Sequence, residues 1–182
     1  LVRWEQPMRV RIHGVNVAAH KARTLLALRE VAKEAGVPLT DGSDQAGAEA
    51  NVDIEIVAND RMAEDQPCET RLNYPTETVI RSVTMQMREG DARRCAFHEA
   101  MHVMGVRGHP EGETVLSYFS APVDGLMPLD RAMLRAWYSP RTQAGMPPYE
   151  LLPILGGQLV AVLPDRAAAP GGRCVRASPA RR

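Results

Sequence analysis

The stretch Cys95-Ala96-Phe97-His98-Glu99-Ala100-Met101-His102-Val103-Met104-Gly105-Val106-Arg107-Gly108-His109 constrains this chain more than any other. It contains H-E-x-x-H. Residues four apart lie one above the other on a helix, so His98 and His102 can aim both imidazoles at one point from a single face. That is half of a tetrahedral zinc site. Glu99, beside the first ligand, stands where a carboxylate reaches a metal-bound water without coordinating, the position of a general base. With five His and thirteen Glu in 182 residues, the pattern arises by chance in about one such chain in a hundred. Gly105, three residues after His102, suits the left-handed conformation that ends a helix and turns the chain back beneath it. His109 follows at once. The candidate metal ligands are therefore His98, His102 and His109, with Zn2+ as the cofactor and a water in the fourth position.

This segment resembles the metzincin clan of zinc peptidases, whose pattern is H-E-x-x-H-x-x-G-x-x-H followed by a turn that usually contains Met. Here Gly108 is inserted before His109, an ending shared with some bacterial matrixin-like sequences. Thr114-Val115-Leu116-Ser117-Tyr118 resembles the Met-turn, with Leu116 at the Met position, an apolar swap of similar volume. The run Leu126 to Arg141 is similar to a bacterial, mostly exported domain family of unknown function, in many members of which the histidines are degenerate. Together the resemblances cover residues 95 to 148. They imply a zincin-like single domain of the α/β (α+β) class: a twisted mixed sheet, a long backing helix and an active-site helix. They also imply a zinc metalloendopeptidase exported to the periplasm or beyond, acting on protein or peptide substrates. Tyr118 then either approaches the zinc and the oxyanion or packs beneath the site. Two rivals stay open: a non-catalytic zinc-binding or interaction module that keeps the fold, and a zinc hydrolase of non-peptide substrates.

The rest of the chain supplies the frame. Met8 to His13 alternates Val10 and Ile12 with Arg9 and Arg11, as a half-buried strand does. Ala18, Ala22, Leu25, Leu28, Ala32 and Ala35 recur at helical spacing, with Asn16 as the expected cap and Gly36-Val37-Pro38 as the stop. Thr40 to Ala50 reads as a loop. Val52, Ile54, Ile56 and Ala58 alternate with acids, so strand, helix, strand predicts a crossover and a partly parallel sheet. Val79 to Met87 is a further strand, and Gly90 and Asp91 mark the turn and cap before the helix bearing His98. After His109 the chain is irregular until a helix from about Leu129 to Tyr138. Asp130, in its first turn, suits the helix dipole. It is also the next candidate for third ligand, ahead of Glu111, Glu113 and Asp124. Leu151 to Leu163 is apolar, but prolines and Gly156-Gly157 blur its period. The domain is expected to span residues 1–165, with 166–182 a disordered basic tail.

Charge balances at 22 basic against 22 acidic residues, which argues against nucleic acid or an anionic membrane as partner. No run of about eighteen apolar residues occurs, so no membrane span is expected. The chain starts at Leu1 rather than Met, which suggests a processed N-terminus and leaves any signal peptide outside it. His13 and His20 lack neighbours at ligand spacing and read as surface residues. Of three cysteines, Cys95 opens the active-site helix and Cys68 lies in a turn-like Gln-Pro-Cys-Glu stretch. A bridge between them would tie that stretch to the helix, as an exported protein favours; three free thiols are the alternative. No C-x-x-C pair occurs, so a cysteine zinc site is not expected.

Overall fold

The computed structural model describes residues 1–45, 49–74, 78–117 and 123–160. Among them are five strands: β1 (Met8–Gly14), β2 (Leu39–Asp41), β3 (Val52–Val57), β4 (Cys68–Asn73) and β5 (Ser82–Arg88). The helices are α1 (Val17–Ala35), α2 (Ala92–Val103), α3 (Pro128–Trp137) and α4 (Pro148–Val160), with a 3-10 turn at Glu89–Asp91. The fold is thus mixed α/β. The sheet order is β2-β1-β3-β5-β4. β1 pairs parallel with β2 and β3, and β3 pairs parallel with β5. Only β4, at the edge, runs antiparallel to its neighbour.

Period-two alternation explains the layering. Met8, Val10, Ile12, Val52, Ile54, Ile56, Val83, Met85 and Met87 are buried on one face, against which α1 and α2 pack. The opposite face carries polar pairs, among them the ion pair of Arg11 Nε with Asp53 Oδ1 at 2.7 Å and the hydrogen bond from Gln86 Nε2 to Glu55 Oε2 at 2.7 Å. Such a one-sided sheet is what alternating strands favour.

Several local expectations are corrected. Asn16 does not cap α1: it sits in the left-handed region and its amide donates instead to Glu89 Oε1 at 2.9 Å. Asp91 stands at the start of α2 without a side-chain cap bond; Arg88 and Arg94 hold its carboxylate at 2.8 and 2.9 Å. The expected loop at Thr40 begins inside β2, because three residues beside β1 suffice for an edge ladder before Asp41 accepts from Ser43 N at 2.9 Å and turns the chain. Cys68 opens a strand rather than lying in a turn. The apolar stretch after Pro148 is helical, burying Leu151 and Ile154. The tail expected at 166–182 lies outside the described residues.

The first residues form a strap across the end of α2. Trp4, almost wholly buried, donates from Nε1 to Val103 O at 2.8 Å, and Tyr138 Oη donates to Met104 O at 2.8 Å. Both satisfy carbonyls that a helix end leaves without intrahelical partners. Gly105 follows at φ 86°, and a Cβ there would lie 2.2 Å from Val2 O. Conformation and space both demand glycine at this turn.

Candidate metal centre

α2 buries Ala92, Cys95, Ala96, Ala100, Met101 and Val103. One turn before His98, Cys95 is joined by a disulfide to Cys68, the first residue of β4, with Cα atoms 6.1 Å apart. The helix and the edge strand are therefore fixed together as the two walls of a cleft of ≈ 380 Å³, whose lining includes Glu69, Thr70, His98, Glu99, His102 and His109.

Each helical imidazole is oriented by a backbone carbonyl. His98 Nδ1 lies 2.9 Å from Val115 O and His102 Nδ1 lies 2.8 Å from Val106 O. A carbonyl only accepts, so both rings carry their proton on Nδ1 and turn the Nε2 lone pair into the cleft. His102 Nε2 is 3.2 Å from His98 Nε2 and 3.2 Å from His109 Nε2. A tetrahedral ion bound by nitrogens at 2.0–2.1 Å sets them about 3.3–3.4 Å apart. The spacing fits a shared cation, and the three histidines are the one such cluster among the described residues. Burial lowers the pKa of all three; for His98, where the neighbouring His102 and His109 add to it, the value falls to about 4. Each imidazole is thereby kept in the neutral, ligating form.

Glu99 is 3% exposed, and its Oε2 has no hydrogen-bond partner. Burial pushes its carboxyl up to about 7; the Thr70 hydroxyl, near but short of good hydrogen-bond geometry, pulls the other way, and the Glu69 charge adds to the rise. Its Oε1 stands 3.9 Å from His98 Nε2. A carboxylate this buried, with one oxygen lacking a partner and the other beside a neutral imidazole, is a basic group suited to taking up a proton.

The other candidates fall elsewhere. Asp130 is fully buried and its oxygens are taken: Oδ1 accepts from Thr114 Oγ1, and Oδ2 from Val115 N at 3.1 Å and Met127 N at 2.9 Å. It caps α3 and at the same time holds Val115, the residue whose carbonyl orients His98. Asp124 pairs with Arg23 at 2.5 Å and Arg93 at 3.1 Å. Glu111 and Glu113 are exposed and outside the cluster. Leu116 is fully buried, while Tyr118 lies outside the described residues. The carbonyls of Val106 and Val115 have no signature in sequence, since every residue carries one; only the place of Asp130 in the first turn of a helix pointed to a structural role for it.

No protein-family model matches the chain, and no curated protein matches it. What the site can do is set by its own residues: three neutral nitrogens, one buried base, and a cleft bounded by a strand edge.

Proposed function

We propose that the protein is a zinc-dependent peptidase of metzincin-like, zincin type, exported from the cell. The observation that carries this reading is the convergence of three Nε2 atoms beside the buried Glu99 carboxylate, one oxygen of which has no hydrogen-bond partner. An all-imidazole set with an open position suits zinc, held by His98, His102 and His109. Zinc, when bound, supplies Lewis acidity that polarises a carbonyl and brings the pKa of a water toward neutrality. Glu99, with Oε1 3.9 Å from His98 Nε2, would be the group that holds a proton in the cleft and gives it up again to a departing amine. Its elevated pKa suits both halves of the transfer near neutral pH. Among the described residues β4 has no strand on its outer edge along the cleft, so an extended peptide adds to the sheet there by main-chain bonds. The Cys68–Cys95 bridge supports an oxidising compartment.

The test is metal analysis with peptide cleavage. Wild-type protein carries one zinc per chain and cleaves unfolded protein; Glu99→Gln keeps the zinc and loses about 10²–10⁴ in turnover. Zinc without cleavage across a broad peptide panel hands the reading to the non-catalytic module. Cleavage confined to small non-peptide amides or esters hands it to the second rival.

A further inference from the structure

A second recess of ≈ 280 Å³ adjoins the metal cleft, lined by Thr70, Leu72, His102, Val106, Arg107 and Gly108. It shares Thr70 and His102 with the cleft, so a chain lying along β4 passes from one into the other. Thr70 and Leu72 are two apart on a strand, hence on one face and about 7 Å from each other. That is one substrate side chain to the next on the same face. Arg107 stands in the wall of this recess and is exposed. Its guanidinium lies 5.0 Å from the Tyr74 ring centroid and Nη2 donates to Tyr74 Oη. Among the described residues no carboxylate pairs with it. The aromatic face holds the planar fork in place while most of its five N–H donors stay open, and such a fork matches a carboxylate in two parallel bonds.

We propose that Arg107 forms a carboxylate-binding subsite that selects peptides with an acidic side chain on the amino-terminal side of the bond cleaved. This rests on the peptidase reading and names its substrate class. The side follows from strand direction. A peptide added antiparallel to β4 runs from the Asn73 end toward Cys68, so its residue beside Leu72 precedes the one beside Thr70, next to Glu99. A free C-terminal carboxylate reaches the recess only if the peptide runs the other way, so the two sources of the same chemistry can be told apart.

The experiment uses the zinc-supplemented full chain carrying Glu99→Gln, which holds peptide without turning it over. Fluorescein-labelled, C-terminally amidated octapeptides with one Glu or one Gln moved along a neutral sequence are titrated by anisotropy, beside a neutral octapeptide with a free C-terminus. At one position the Glu peptide binds about 10-fold tighter than its Gln twin, as a charge-assisted pair implies. Adding Arg107→Gln brings that ratio toward one, and Arg107→Glu turns the preference toward a Lys peptide. Equal binding of Glu and Gln twins, a preference that survives Arg107→Gln, or no binding of any octapeptide overturns the subsite. Tightest binding by the free C-terminus overturns the side-chain assignment. The same peptides given to protein with Glu99 intact separate the two claims. Cleavage without acidic preference removes the subsite alone; acidic preference without cleavage removes the peptidase alone.

Discussion

The sheet with α1 and α2, and the span from Met104 to Met127, are held by different means. In β3 every residue from Val52 to Val57 has a partner on β5, five of them also on β1, and Ile54 and Ile56 are fully buried. The span contains no helix or strand among its described residues. It is fixed at points: Val106 O on His102, Val115 O on His98, and Asp130 on Thr114 and Val115. The sheet is over-determined, so losing one contact leaves many. Among its described residues the span is held by buried apolar side chains and by single bonds rather than a ladder, and some of those bonds aim the metal ligands.

The largest effect expected is on the metal itself. His98→Ala or His102→Ala abolishes stoichiometric zinc, while His109→Ala, on the span, weakens it; elemental analysis after dialysis reads the difference. Stoichiometric zinc in either helical variant breaks the assignment. Next comes the sheet. Ile54→Ala costs about 2–5 kcal/mol in denaturant unfolding, as for buried aliphatic truncations, but leaves zinc affinity of the folded protein unchanged. An affinity loss there would erase the contrast between the two regions.

Opening the Cys68–Cys95 bridge, which closes a loop of 27 residues in sequence separation, costs about 3–4 kcal/mol in the chain-entropy picture. Thiol titration of oxidised protein should find neither cysteine free. Asp130→Asn sharpens the comparison from the other side. It keeps the size but sets an amide donor among donors, and it touches no metal ligand. Zinc affinity should fall about 10–100-fold, the usual range for partners that orient ligands, as competition with a chelator would show. An unchanged affinity would mean that the span needs no clamp.

The smallest effect is a slope. In metal-free protein His98 has its pKa depressed to about 4, below the unfolded value of about 6.5. Its contribution is present above pH 6.5 and lost as pH falls toward 4. Glu99 is raised to about 7, so its contribution is present below about 4.3 and lost as pH rises through 7. Between pH 5 and 6.5 the two oppose. Glu99→Gln removes one of them and should steepen the acid loss of metal-free protein by about one proton, or 1.4 kcal/mol per pH unit. Identical slopes in urea melts would deny the burial of that carboxyl.

Sequence disclosed the regular part best. β1, β3 and β5 alternate cleanly, α1 and α2 repeat at helical spacing, and His98, Glu99 and His102 follow from that spacing alone. β2 escaped because three residues carry too short a period, and β4 because an edge strand buries little on either face. α4 escaped because Pro153 and two glycines run against its helical propensity. That His109 would meet the other two histidines depended on the path of a segment without periodicity. The carbonyl partners of His98 and His102 belong to the backbone and could be known only once that path was seen.

The strap laid by residues 1 to 4 gives the centre a place in time. Val2 O accepts from Trp137 Nε1 at 2.8 Å, Arg3 Nη1 donates to Thr142 O at 2.9 Å, and the Leu1 amino group donates to Met146 O at 2.7 Å. These four residues must wait for a stretch more than 130 positions later in sequence before their partners exist. Gly105, the turn that leads to His109, is seated against Val2. That seat is therefore complete only once Trp137 has been made, and a nascent chain stalled before Trp137 would hold all three histidines without it.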